Sequence, residues 1–357
     1  MASARLTIDL GAIAANWRAL DAMSACETGA VVKADGYGLG AARVAPALAA
    51  AGAKTFFVAL AEEGAALRAA LGARPRIFVF SGLMPGDEPL IRDARLIPLL
   101  NAPAQLARAR DMAAAGGAPL EVGFQVDSGM NRLGFEAPEL SDALAAPDAL
   151  KGLDVALVMS HLACADEPAE GLNGAQNAAF LALASHPALA AAPKSLAATG
   201  GVLLGPAYHH DLTRPGIGLY GGLPFRGARP VVMLEAPIIQ VRDVAPGEIV
   251  GYGATYKAET ARRVATLALG YADGFLRCLG AGFAAHLGRT PLRSVGRVSM
   301  DLVTLDVTGC ADAKEGALVT LLGPDQTIDD LADAAGTIGY EILTSLGSRF
   351  ERRYRDA

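Results

Sequence analysis

The sequence predicts a (β/α)₈ barrel followed by a second, mostly β domain, and three observations carry that prediction. Eight short apolar runs alternate with Ala-rich helical stretches over the first 225 residues. The runs are continuously apolar, as expected of parallel strands covered by helices. After residue 230 the regular helical stretches cease and runs separated by turn residues follow. Eight is the strand number that closes a barrel of this kind. An open doubly wound sheet would carry a phosphate loop after its first strand. "KADGYGLG" matches neither GxGxxG nor GxxxxGK[ST], so the barrel is favoured.

The strands are expected in order at 29–34, 55–60, 76–80, 95–100, 120–127, 154–162, 195–200 and 213–221. "GAARVAPALAAAG" and "ALAEEGAALRAALG", between the early strands, have good helix propensity and end at glycine. "SGLMPGDEPLIRDA" is the weakest helical stretch. Beyond residue 230, "VVMLEAPIIQVRDV", "GEIVGYGATYKAE", "RRVATLALGYADG", "LRSVGRVSMDLVTLDV" and "GALVTLLG" read as strands and turns. One helix is expected at "TIDDLADAAG", where Thr327 caps and Asp330 stands three residues on. The Gly- and Pro-rich segment 221–230 marks the boundary. The barrel is thus assigned to residues 1–225, with the first few residues free to join the β domain, and the β domain to 230–357.

Bulk properties exclude several classes. No apolar run reaches the roughly 18–20 residues of a membrane helix, and the N-terminus does not read as a signal peptide. A net charge of -6, unclustered, argues against nucleic acid and anionic membranes as partners. Four scattered cysteines without a CxxC pair fit reduced packing residues and a cytoplasmic location. The five histidines show no metal-ligand spacing, so no metal is expected.

Barrel function lies at the C-terminal ends of the strands. Of only six lysines, Lys33 alone ends a barrel strand. An ammonium held there among apolar neighbours is partly desolvated, which favours the neutral, nucleophilic amine and Schiff-base chemistry. Taken singly, a solvated, snorkelling lysine is at least as good a reading. The other strand ends add Arg132 in "DSGMNRLG", His161, Thr199 in "AATGG" and Arg214 in "TRPGIGLYG". His161 alone reads more naturally as a core histidine, and the arginines as surface residues. Together at one mouth they suggest a site. Thr199 and the N–H groups of Gly216 and Ile217 would suit a phosphate. A lysine nucleophile, a phosphate site and two arginines suggest pyridoxal 5'-phosphate (PLP).

Eight motifs in order, "VVKADGYGLG", "VDSGMNRLG", "SHLACAD", "TRPGIGLYGG", "VGYGATY", "LGYADG", "GRVSMD" and "IGYE", resemble those of the bacterial alanine racemases nearly end to end. The resemblance implies an amino-acid racemase (an isomerase) interconverting L- and D-alanine by a two-base PLP mechanism, either supplying D-alanine for peptidoglycan or degrading it. By similarity Lys33 binds PLP covalently and is one catalytic base, and Tyr252, from the β domain of the other subunit of a homodimer, is the second. Arg214 faces the pyridine nitrogen, and His161 supports it. Tyr37, Thr199, Gly216, Ile217 and Tyr340 hold the phosphate. Arg132 and Met300 contact the substrate carboxylate, and Tyr271 stands at the entrance.

This chain departs from the pattern at Gln125, where many relatives carry a carbamylated lysine that positions the arginine. It departs again at Ala198, where an asparagine is usual. A basic amino-acid decarboxylase of the same architecture would have an acidic partner for the pyridine nitrogen. A broad-specificity racemase usually has a secretion signal. A non-enzymatic PLP-binding barrel would lack the domain that carries Tyr252.

Overall fold

A computed structural model of the chain describes residues 4–116 and 119–356. Seven parallel strands from Ala30–Val31 to Lys194–Ser195 pair in strict chain order. The last barrel strand, Leu212–Thr213, pairs in parallel with Glu27–Thr28, which runs on through Gly29 into Ala30–Val31. Asp211 N–H donates to Lys194 O at 3.0 Å and Arg214 N–H to Ala197 O at 2.8 Å, so the ring closes. Phe56, Phe57, Phe78 and Phe124 are fully buried on these strands. Each contributes about 1.5–3 kcal/mol by leaving water.

The strands are shorter than the sequence predicts, because the chain stays buried and apolar at the mouth after the ladder pairing ends. The first ends at Val31, and Lys33 opens a separate turn. The seventh ends at Ser195, and Thr199–Leu204 is a helix. The eighth ends at Thr213, and Ile217–Tyr220 is a 3₁₀ turn. At the first of these ends Gly36 and Gly38 take positive φ, where the apolar pattern alone reads as strand. The weakest helical stretch forms only Glu88–Asp93.

The second sheet has eight strands and is antiparallel except for one pair. Val232–Val244 is its spine and bonds to Arg262–Ala268, Leu318–Leu322 and Arg5–Asp9. The pairing to both Arg262–Ala268 and Leu318–Leu322 closes a small barrel. Arg5–Asp9 also pairs, in parallel, with Glu351–Arg355. The helix Ile328–Ala335 has the expected capping box, with Thr327 Oγ1 accepting from Asp330 N–H. The C-terminal segment then reaches the barrel. Arg352 Nη1 donates to Gly38 O at 2.6 Å and Tyr354 Oη to Leu39 O at 3.1 Å.

Candidate active site

Lys33 begins an unusual turn. Ala34, Asp35, Gly36 and Tyr37 all have φ between 52° and 64°, the left-handed region. Three of the four are not glycine, and each such residue costs on the order of 1–2 kcal/mol. Hydrogen bonds hold the turn. Gly36 N–H donates to Val32 O, Gly38 N–H to Ala34 O, and Gly40 N–H to Asp35 O. Asp35 Oδ1 accepts from Ala41 N–H at 2.8 Å. The turn sends Lys33 and Tyr37 into one cavity of about 100 Å³, lined also by Phe80, His161, Thr199 and Arg214. Lys33 Nζ lies 5.7 Å from the centre of the Phe80 ring. Burial lowers its pKa from the ordinary lysine value, and the Arg132 charge lowers it further, while Glu63 opposes both. This is the direction that frees the amine.

Arg214 is 1% exposed. Its terminal nitrogens donate to Ser195 Oγ, to Ser160 O at 2.8 Å and to Leu196 O at 3.4 Å. Ser160 Oγ is paired in turn with Ser128 Oγ at 2.7 Å. Among the described residues no carboxylate is paired with Arg214. Burial alone pulls its pKa down to about 9, so it remains a cation at neutral pH. His161 lines the same cavity without a hydrogen bond to Arg214 among the described residues. Support for the guanidinium comes instead from Ser195 and two carbonyls. Burial, then the charges of Arg214, Arg132 and Lys33, push the pKa of His161 down to about 3. Ser195 and Ser160 were not singled out by the sequence; they are the first residue of the seventh expected strand and a residue inside the sixth.

Thr199 Oγ1 accepts from Gly216 N–H at 3.1 Å and from Gly218 N–H at 3.2 Å. The Gly216 amide is therefore engaged by Thr199, and the Thr199 hydroxyl proton is left to point elsewhere. A Cβ on Gly216 would fall 2.3 Å from Tyr37 Oη. Tyr37 stacks on Tyr220 with ring centres 4.4 Å apart, and Tyr340 of the β domain lies 6.0 Å from Tyr37. His161, Ala198, Thr199 and Tyr340 also border an adjoining cavity of about 490 Å³.

The residues fit the cofactor expected from the sequence. An amine, an unneutralised buried cation and the Tyr37, Thr199 and Tyr340 hydroxyls share one cavity wall, beside a glycine with no room for a side chain. These groups could hold a phosphate and a pyridine ring.

The remaining expected residues lie apart from this cavity within one chain. Tyr252 is 70% exposed, in a turn where Gly251, Gly253 and Ala254 have positive φ, and it lines neither cavity. Tyr271 and Met300 are also exposed and sit side by side, with Tyr271 N–H on Ser299 O at 3.0 Å and Ala272 N–H on Met300 O at 2.9 Å. Arg132 is exposed on the loop 128–134. Gln125 holds that loop by its backbone, Nε2 donating to Leu133 O at 3.1 Å. Asp127 Oδ1 accepts from Gly129, Met130 and Asn131 N–H.

Comparison with known proteins finds relatives that span nearly the whole chain. The family "Alanine racemase, N-terminal domain" matches residues 8–224, and "Alanine racemase, C-terminal domain" matches 231–354. An alanine racemase of Cereibacter sphaeroides is 58% identical over 356 residues, 99% of each chain. The solved alanine racemase of Bartonella henselae, with covalently bound pyridoxal phosphate, superposes with a TM-score of 0.94 at 35% identity, covering 99% of this chain and 100% of that one. The biosynthetic alanine racemase of Pseudomonas aeruginosa gives a TM-score of 0.91 at 38% identity, with the same coverage. With both halves matched and relatives aligned end to end, the chain belongs to the alanine racemase family.

Proposed function

We infer that this chain is an isomerase that interconverts L- and D-alanine, with PLP as cofactor and Lys33 and Tyr252 as its two bases. The observation that carries the reading is Arg214, a buried cation without a carboxylate partner among the described residues, in the same cavity as Lys33. Bound PLP withdraws electrons from the substrate Cα. An acidic partner at its ring nitrogen would strengthen that withdrawal. A guanidinium that is a cation at neutral pH could only donate a hydrogen bond there, which would weaken that withdrawal and favour simple proton return over decarboxylation or transamination.

Lys33 Nζ takes a proton from one face of Cα, and Tyr252 Oη of the partner subunit returns one to the other; microscopic reversibility gives the opposite direction. Tyr37, Thr199, Gly216, Ile217 and Tyr340 hold the phosphate, with the Gly216 amide acting through Thr199. Arg132 and the Met300 backbone orient the substrate carboxylate, and Tyr271 narrows the entrance. The enzyme works as a homodimer, because Tyr252, Tyr271 and Met300 are exposed and lie off the Lys33 cavity of their own chain. No helix among the described residues is long and apolar enough to cross a membrane. Four free cysteines fit a reducing cytoplasm.

The test is incubation with L-alanine, and separately L-serine, in deuterium oxide, following chirality and α-deuterium together. D-alanine carrying α-deuterium is expected. Lysine-bound cofactor absorbance without D-alanine would sink the racemase reading in favour of a PLP-carrying protein. Lys33→Ala should lose that absorbance, and its persistence would reassign the lysine.

A further inference from the structure

One carboxylate touches the Lys33 turn from outside the cavity. Glu63 stands in the first turn of helix Ala61–Leu71, which follows the second barrel strand. Its Oε2 accepts from Ala59 N–H at 2.7 Å and Leu60 N–H at 3.4 Å, the capping arrangement of that helix. Its Oε1 does something a cap does not require. It accepts from Ala34 N–H at 2.8 Å, the amide directly after Lys33. A single carboxylate thus ties the ends of two neighbouring barrel strands together, at the residue where the backbone enters the left-handed region.

We propose that Glu63 is a positioning residue for Lys33, fixing the left-handed turn that aims the lysine and holding a carboxylate directly behind it. It rests on Lys33 being the cofactor lysine and base. Two physical arguments carry it. Three non-glycine residues in left-handed conformations persist only where surrounding contacts over-determine them. Of the bonds that hold this turn, the Glu63 bond is the one made directly at the Lys33–Ala34 peptide by a side chain. A charged acceptor makes it stronger than a neutral one would be.

The second argument is charge. The groups that bear on the Lys33 amine are Arg132, Arg214 and His161, the ring of Phe80, the Tyr37 and Tyr340 phenols across the cavity, and Glu63. Glu63 is the carboxylate that raises the lysine's proton affinity against burial and Arg132. Without it the amine would titrate lower still.

The experiment uses the full chain. Glu63→Gln keeps the size and one acceptor oxygen but removes the charge, Glu63→Asp keeps the charge on a shorter arm, and Glu62→Gln removes an exposed neighbouring charge as control. The cofactor-free protein is labelled with acetic anhydride across a pH series, and Lys33 acetylation is read by mass spectrometry. The same variants, loaded with PLP, are assayed for kcat and KM against pH. In Glu63→Gln the Lys33 labelling midpoint should fall by about 0.5–1 pH unit. The Lys33 limb of kcat against pH should fall with it, and kcat should drop about tenfold with KM little changed. Glu63→Asp should restore the midpoint more than the rate, and Glu62→Gln should match wild type. An unmoved midpoint in a folded Glu63→Gln, or an equal shift in Glu62→Gln, overturns the proposal. It leaves Lys33 itself intact as long as wild type shows lysine-bound cofactor.

Discussion

Arg349 grips Asp273 with two nitrogens, Nε on Oδ1 at 2.6 Å and Nη2 on Oδ2 at 2.8 Å, and its third reaches Asp301 Oδ1 at 2.8 Å. Asp273 and Asp301 flank Tyr271 and Met300, so one guanidinium sets the spacing of the two loops that carry them. Arg349→Ala should leave the barrel intact and cost about 10- to 100-fold in kcat/KM through misplacement alone. Steady-state kinetics beside circular dichroism would check this. Arg349→Lys should rescue little, since an ammonium cannot bridge both carboxylates in the same plane.

Gly216→Ala probes the proposed phosphate end. Its Cβ would meet Tyr37 Oη, and Tyr37 is pinned against Tyr220. Displacing the phenol should weaken PLP binding about tenfold or more, near 1.4 kcal/mol. Equilibrium dialysis measures it. Wild-type affinity would remove Tyr37 from the phosphate site.

Tyr252→Phe should leave thermal stability within about 0.5 kcal/mol of wild type, because it keeps the ring and removes only a hydroxyl that makes no hydrogen bond within its own chain among the described residues. Racemisation should fall about 10²–10⁴-fold in both directions. Reassorting inactive Tyr252→Phe with inactive Lys33→Ala should then recover about a quarter of wild-type activity. Half the dimers are mixed, and each mixed dimer has one site with both native bases. No recovery after confirmed subunit exchange would mean that the two bases come from one chain.

His161 gives a pH signature. Its folded pKa, about 3, lies below the ordinary 6.5. The unfolded chain therefore binds more protons between those values. The stability tied to neutral His161 is complete above pH 6.5 and drains as pH falls toward 3. His161→Gln should flatten the acid loss by about 1–2 kcal/mol at pH 5. Urea unfolding at pH 7 and pH 5 would show it, and parallel curves for the two proteins would place His161 in contact with water.

The barrel was legible because parallel strands announce themselves as continuous apolar runs, and Lys33 because it is the one lysine that ends such a run. Thr199, Gly216 and Ile217 were legible from their place at strand ends, and Tyr37 and Tyr340 only from the family resemblance. What holds them was not. Ser195 under Arg214 and Glu63 under Lys33 lie 19 and 30 residues from the groups they steady, and nothing in local spacing marks a contact made by the curvature of the sheet. Strand ends were overestimated for the same reason. Periodicity reports burial, and the buried mouth of this barrel stays apolar after its ladder stops.

The strand Arg5–Asp9 has a consequence for how the protein is made. It is translated well before its neighbours, Val232–Val244 and Glu351–Arg355, which follow more than 220 residues later. At about 5–20 residues per second, the ribosome needs roughly ten to forty seconds to deliver the first of them. Through that interval the barrel can assemble while its leading strand waits as an open edge. Cutting the gene between the two halves would strand it there: a fragment beginning near residue 231 would lack a stave of its own sheet, and should recover order when a peptide spanning residues 4–10 is supplied in trans.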